Sequence, residues 1–222
     1  MSKGRRKRME NKKISKFVLK RLPGYLAYLK SLPDSAPVHI SATTLANALG
    51  MGQVQVRKDL ALVSDGGRPK IGYLRRELIA DIEQFLGYDN ITDAVLIGAG
   101  KLGQALMGYR GFEEYGLNIL AAFDAKPSRE QTDEGKPIYH ISRLTDFCRE
   151  NKVLMGIITV PAEHAQTVAD QLIAGGIKAI WTFAPAHLEV PENILVQYEN
   201  MATSLAVLSV HLQEHIMEEK EQ

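Results

Sequence analysis

Residues 92–108, TDAVLIGAGKLGQALMG, restrict the possible folds of this chain more than any other stretch. The apolar run AVLI has no polar side for water, which suits a strand covered on both faces, as in parallel sheets. It runs into Gly98-x-Gly100-x-x-Gly103, and LGQALMGY continues as a helix. A strand that turns through glycines into a helix begins a β–α–β unit. Four more apolar runs follow, NILAAFD, VLMGIITV, KAIWTFAP and ILVQY, with AEHAQTVADQLIAGG as a glycine-stopped helix among them. Five strands alternating with helices predict a parallel α/β sheet from residue 92 onward.

Each glycine has its own task. The first allows a tight turn out of the strand, the second lets backbone approach a pyrophosphate, and the third lets helix and strand pack closely. The helix start adds N–H groups and a positive dipole end. Glycine turns that serve only packing share this pattern. Here the flanking strand and helix, and an acid ending the next strand, favour a dinucleotide site made by Gly98, Ala99, Gly100, Lys101, Leu102 and Gly103. That acid, Asp124, lies 26 residues after Gly98, a little past the usual spacing of about 20. It would accept hydrogen bonds from a ribose diol and repel a 2′-phosphate, favouring NAD(H) over NADP(H). Nearby Lys126 and Arg129 would soften that preference, and a plain strand-ending aspartate is the alternative.

Charge divides the chain. Residues 1–76 hold 17 Lys/Arg against 4 Asp/Glu, whereas residues 77–222 hold 10 against 22. A basic front and an acidic rear imply two domains with different partners, the first a candidate polyanion binder. In that front half, ISKFVLKRLPGYLAYLKS carries a helical apolar stripe that Pro23-Gly24 should bend or break. ISATTLANALG starts on the N-cap Ser41, and QVQVRKDLALV follows a Gly50-Met51-Gly52 turn, giving a helix-turn-helix. SDGGRPKIGY then reads as a turn-rich wing with Arg68 and Lys70 near its tip, and LRRELIADIEQFLG as a linking helix. Val56, Leu60 and Val63 should pack inward, with Gln55 and Lys58 pointing away and Arg57 on the flank. Gln pairs with adenine and Arg with guanine. The candidate DNA contacts are Ser41, Gln53, Gln55, Arg57 and Lys58, with Arg68 and Lys70 on the wing; residues 1–13 add a basic extension.

No apolar run reaches the roughly 18 residues of a membrane span, and the basic N-terminus lacks the apolar core of a secretory signal. The single cysteine, Cys148, permits no intrachain disulfide, fits a reducing cytoplasm, and reads as a packed thiol rather than a redox sensor. His140, His164, His187, His211 and His215 are scattered, and no Cys/His/Asp cluster has metal-ligand spacing. Residues 92–200 supply a nucleotide-binding domain and little room for a substrate domain, so neither a catalytic residue nor a metal is expected. Met201, Leu205, Leu208 and Leu212 form a narrow stripe that either the sheet domain or a second subunit would cover.

Several motifs together, KRLPGYLAYL, VRKDL, GAGKLGQAL, AAFD, ITVPAEHAQ and TFAPAHLEVPE, resemble those of the Rex family of bacterial redox-sensing repressors, in that family's order from about Ile14 to about Leu205. The resemblance implies a winged helix over residues 1–86 with its basic extension, a Rossmann NAD(H)-binding domain over 87–199, and a C-terminal dimerisation helix over 200–222, swapped into the partner of a homodimer. It implies a cytoplasmic repressor, not an enzyme, that binds double-stranded operator DNA and is released by NADH, with NAD⁺ competing. It implies that Thr159, Val160, Pro161 and Ala162, with Phe183, Ala184 and Pro185, line the far side of the cofactor. It also implies that Arg21 and Tyr109 couple cofactor to DNA.

Three departures stand out. Lys101 replaces a usual Asn, Pro69 takes the place of a usual wing Arg, and Asn200 replaces an acid at the start of the last helix. Asn200 belongs with Arg21 and Tyr109 as a coupling candidate, and is equally an N-cap. Rival readings are an NAD-dependent oxidoreductase, or a CoA-binding module, fused to a DNA-binding domain.

Overall fold

The computed structural model describes residues 15–220; the basic run at residues 1–13 lies outside them. The chain divides into two compact units, Met1–Asn90 and Ile91–Gln222.

The first unit begins with α1 (Lys16–Ser31), capped by Ser15, whose Oγ accepts from the Phe17 amide. Of the expected bend or break at Pro23-Gly24, the break does not occur: α1 continues through Pro23. Proline inside a helix costs about 3 kcal/mol. Burying Leu22, Tyr25, Leu26 and Leu29 on one face, at about 1.5–3 kcal/mol per large side chain, outweighs it. The pair α2 (Ala42–Ala48) and α3 (Gln53–Val63) flanks a turn in which Gly50 has φ +63°. Ser41 Oγ accepts from the Thr44 amide and caps α2. Short strands β1 (His39–Ile40) and β2 (Tyr73–Leu74) pair antiparallel at the base of the wing. A Cβ at Gly72, where φ is +90°, would lie 2.3 Å from the Ile40 carbonyl oxygen. The wing is thereby pressed onto β1. Helix α4 (Arg75–Leu86) closes the unit at Gly87, which is left-handed. One core of Leu22, Leu26, Leu45, Val56, Leu60, Leu78 and Ile82 joins α1, α2, α3 and α4.

The second unit is a six-stranded, all-parallel sheet ordered β5-β4-β3-β6-β7-β8. Its strands are β3 (Thr92–Ile97), β4 (Leu117–Asp124), β5 (Ile138–His140), β6 (Met155–Ile158), β7 (Ala179–Thr182) and β8 (Leu195–Tyr198). Helices α5 (Lys101–Met107), α6 (Gly111–Glu114), α7 (Leu144–Glu150) and α8 (Ala162–Ala174) lie between them, and α9 (Met201–Lys220) follows β8. The continuous apolar run of β3 has its reason here. Val95 and Ile97 enter a core with Phe123, Leu144 and Leu172, while Ala94 and Leu96 enter a second core with Met107, Ile119 and Ile157. The sequence reading found five of these strands. The sixth, β5, spans only three residues after Pro137 and extends the sheet from β4.

Cys148 is fully buried in the first of those cores, and burial pushes its thiol up to about 11. It is a packing residue with no thiolate at neutral pH. Among the described residues, no helix is long and apolar enough to cross a membrane.

Candidate nucleotide and nucleic-acid sites

In the sheet unit the chain leaves β3 toward β4 and β5 on one side, then returns to β6, β7 and β8 on the other. This reversal makes a switch point between β3 and β6, where open α/β sheets place their ligands. The candidate residues gather at the carboxyl ends of four strands: Gly98 to Gly103 after β3, Asp124 at the end of β4, Thr159 to Ala162 after β6, and Phe183 to Pro185 after β7. Thr159 stitches the switch point by placing its Oγ1 3.0 Å from the Ile97 carbonyl oxygen and 2.8 Å from that of Gly98. One hydroxyl hydrogen serves both acceptors.

The protein itself demands two of the three glycines. Gly98 has φ +103°, and a Cβ there would lie 2.9 Å from Thr159 Oγ1. A Cβ on Gly103 would fall 1.9 Å from the Gly98 carbonyl oxygen. Gly100 differs: its φ of −72° suits any residue, and a Cβ would meet nothing within 4 Å. The chain's own packing does not need that glycine, and the space beside it is open. The first turn of α5 directs amides without intrahelical partners into the same region.

Asp124 holds this turn in place. Its Oδ2 accepts from the Ala99 amide at 2.8 Å, and its Oδ1 from the Lys126 amide at 2.8 Å. Gln104 donates through Nε2 to the Ala99 carbonyl oxygen at 2.9 Å, and Arg129 donates through Nη2 to Gln104 Oε1 at 3.0 Å. Arg129 also pairs with Asp133 at 2.6 Å. This bracket went unseen in the sequence, where Arg129 read only as a nearby cation. Lys101 is exposed, Leu102 and Val160 are half-buried, and Pro161 is exposed at the start of α8. His164 is exposed in the first turn of α8. Ala184 is buried, Phe183 half-buried and Pro185 exposed.

In the first unit, Gln53, Gln55, Arg57 and Lys58 are all exposed on α3, and Arg68 and Lys70 on the wing. Ser41 is half-buried and spends its Oγ on the α2 cap. Gln53 bridges toward α2, with Oε1 accepting from Thr43 Oγ1 at 3.4 Å and Nε2 donating to Asn47 Oδ1 at 3.5 Å. Val54, overlooked in the sequence, stands among these polar residues with 64% of its surface exposed.

The residue that fixes α3 was also overlooked. Asp59 is buried, and accepts from Arg21 Nε at 2.7 Å, Arg21 Nη2 at 3.0 Å, Tyr25 Oη at 2.8 Å and Gln55 Nε2 at 2.8 Å. Burial alone would raise its carboxyl. The hydrogen bonds from Arg21, Tyr25 and Gln55, with the Arg21 charge, outweigh burial and hold it below the ordinary value of 3.8. The bond to Asp59 in turn raises Arg21, and burial beside that carboxylate pushes Tyr25 up to about 12. Arg21, a coupling candidate, therefore spends its guanidinium on α3 of its own unit.

The other two coupling candidates lie in the second unit. Tyr109 is 52% exposed, with its ring edge-on to Phe112 at 4.9 Å. Asn200 Oδ1 accepts from the Thr203 amide at 3.2 Å, the N-cap role. Every described side chain of α9 is exposed, including Met201, Leu205, Leu208 and Leu212. The chain's own sheet thus does not cover the stripe.

Comparison with known proteins joins these observations. Residues 89–186 match the family described as CoA binding domain, and residues 13–61 match putative DNA-binding protein N-terminus. The redox-sensing transcriptional repressor Rex of Porphyromonas gingivalis is 41% identical, over 88% of this chain and 90% of the relative. That of Bacteroides fragilis is 40% identical, over 90% and 91%. Among solved structures, RSP bound to β-NAD⁺ and operator DNA superposes with a TM-score of 0.84 at 33% identity, covering 95% of this chain and 97% of that one. RSP bound to β-NADH gives 0.82 at 33%, covering 96% and 100%.

Proposed function

This chain belongs to the Rex family of redox-sensing transcriptional repressors, and we propose that it binds operator DNA through its first unit and is released when NADH occupies the second. It is a regulator and not an enzyme. The observation that carries this reading is Gly100. Among the described residues nothing comes within 4 Å of a Cβ there, which supports reading the open space as room for a ligand's pyrophosphate. A dinucleotide fits the remaining residues: Asp124 beside the turn for the adenine ribose, and Phe183, Ala184 and Pro185 for the nicotinamide end. When bound, the cofactor presents a nicotinamide ring that is cationic when oxidised and neutral when reduced. An apolar wall at Phe183 and Pro185 then disfavours the cation by desolvation. NADH is the effector and NAD⁺ the weaker competitor.

On α3, Gln53, Gln55, Arg57 and Lys58 would face the major groove, with Val54 against a thymine methyl. Arg68 and Lys70 would bring the wing to the backbone, and Ser41 would support the first helix there. The bare stripe of α9 supports a homodimer in which this helix packs on the partner. Tyr109, Asn200 and Arg21 would couple the two units. The organisation remains 1–86, 87–199 and 200–222 in this reading, in a cytoplasmic protein.

A CoA-binding module is the second reading, favoured by the match at residues 89–186. It leaves the matched DNA-binding segment at 13–61 without a role. The deciding experiment titrates operator DNA at fixed NADH, at fixed NAD⁺ and at fixed CoA. NADH should weaken operator binding by well over tenfold and NAD⁺ much less. An operator affinity unchanged by NADH overturns the proposal, and release by CoA alone supports the second reading.

A further inference from the structure

Trp181, the chain's single tryptophan, lies half-buried on β7, one residue before the strand ends at Thr182. Its ring contacts Phe183 at 4.9 Å and, edge-on, Phe112 at 5.6 Å; Phe112 contacts Tyr109 at 4.9 Å. Four rings therefore run unbroken from the apolar wall after β7 to the exposed Tyr109. Trp181 also branches from this ladder. Its indole Nε1 donates to Glu199 Oε1 at 3.1 Å, and the Glu199 amide donates to the Thr182 carbonyl oxygen at 2.8 Å. Glu199 directly precedes Asn200, the cap of α9. Gln197 of β8 adds a longer bond, its Nε2 donating to Glu199 Oε1 at 3.5 Å, so that Glu199 is where the sheet last holds the chain before α9. The strand beneath, β8, is an edge strand and mostly exposed, so little else anchors the root of that helix.

We infer that Trp181 and Glu199 are positioning residues that tie the wall at Phe183 to the root of α9, so that the cofactor's arrival changes how that helix is held. The inference rests on the proposed NADH-controlled repressor. Its physical content is a branch. Displacing the Phe183 ring moves Trp181, which it touches. Trp181 then shifts both Phe112, with Tyr109 behind it, and the Glu199 carboxylate. A ring ladder alone would reach only Tyr109. The indole N–H extends the connection to α9, and no other side chain of the ladder offers a donor toward Glu199.

The test uses the full chain with Trp181→Phe, which keeps a ring and loses the donor, and with Glu199→Ala, which loses the acceptor at an exposed position. Glu199→Gln removes the charge but keeps an acceptor oxygen. Operator affinity is measured with and without NADH, and NADH affinity without DNA. Trp181→Phe and Glu199→Ala should each shrink the NADH-imposed loss of operator affinity by about threefold to tenfold. Both separate affinities should stay within about twofold. Glu199→Gln should retain most of the coupling, and the double variant should lose no more than either single one. A coupling factor unchanged in both variants overturns the inference. So does a loss equal in Glu199→Gln and Glu199→Ala, which would make charge alone responsible. If the unaltered protein shows no antagonism between NADH and operator, the proposed function fails, and this inference with it.

Discussion

The two units each centre a functional element on one aspartate, and they use it differently. Asp59 is buried and accepts four hydrogen bonds, from Arg21, Tyr25 and Gln55. A carboxylate has about four acceptor sites, so Asp59 is saturated. Asp124 is half-buried and accepts two, both from backbone amides. About two of its sites remain, beside the open space at Gly100. The first aspartate belongs to the scaffold and sets the angle of α3. The second holds the glycine turn and has acceptor sites to spare, which the proposed function assigns to a ribose. Burial and hydrogen-bond count, rather than residue type, separate the two roles.

That contrast breaks most directly through stability. Asp59→Ala leaves the Arg21 guanidinium and the Tyr25 hydroxyl without their partner, at a cost of about 3 kcal/mol. Asp124→Ala frees two backbone amides, one part-buried and one exposed, and should cost about 1 kcal/mol. Urea unfolding of the two variants measures both; equal losses would erase the distinction. Acid sharpens it. Because the folded protein holds Asp59 below 3.8, the unfolded chain binds its proton first, and stability rises with pH. The contribution is complete above 3.8 and drains as pH falls through the lower folded value, by at most about 1.4 kcal/mol per pH unit. Asp59→Asn should flatten that part of the stability–pH curve. A wild-type slope in Asp59→Asn would show that another group is responsible.

Ligand binding reverses the order of the two residues. Asp124→Ala should weaken NADH by about tenfold and narrow the preference for NADH over NADPH, because the repulsion of a 2′-phosphate goes with it. Asp59 belongs to the first unit, and Asp59→Ala should leave NADH affinity within about twofold. Fluorescence titration with both cofactors reads the result. Equal NADH and NADPH affinities in the unaltered protein would remove Asp124 from the ribose site.

The contrast was only half legible in the sequence. The turn from Gly98 to Gly103 was plain, because a strand buried on both faces and a glycine turn leave local signatures. So was Asp124, which ends the next strand. Asp59 was hidden. Between Lys58 and Leu60 on a basic helix, an acid reads as solvated, and its partner Arg21 is 38 residues away. Pro23 does not break the helix, for the related reason that tertiary burial along α1 overrides a local breaker. Strand β5 was missed because three residues carry too little periodicity to register. The open space beside Gly100 needed the fold, which shows that among the described residues nothing lies within 4 Å of a Cβ there.

The smallest effect offers a matched pair across the units. Among the described residues, two other than glycine hold left-handed backbone, Lys70 at φ +64° on the wing and Lys152 at φ +52° after α7. Such a conformation costs an L-residue about 1–2 kcal/mol, and glycine recovers part of it at the expense of its larger unfolded-state entropy. Lys70→Gly and Lys152→Gly should therefore each stabilise the protein by about 0.5 kcal/mol. Their effects on DNA should part. Pro69 presets the turn before Lys70, and the Gly72 contact with Ile40 presses the wing onto β1, so the Lys70 ammonium is held out at the tip. If it meets a phosphate, Lys70→Gly should weaken all DNA sequences alike and lower the salt slope by about one unit. Lys152, in the acidic half, has no such role, and its variant should bind operator as before. Operator titrations at several salt concentrations compare the two. If Lys70→Gly gains stability and keeps its salt slope, the strain at the wing tip serves something other than the DNA backbone, and the wing's cationic role passes to Arg68.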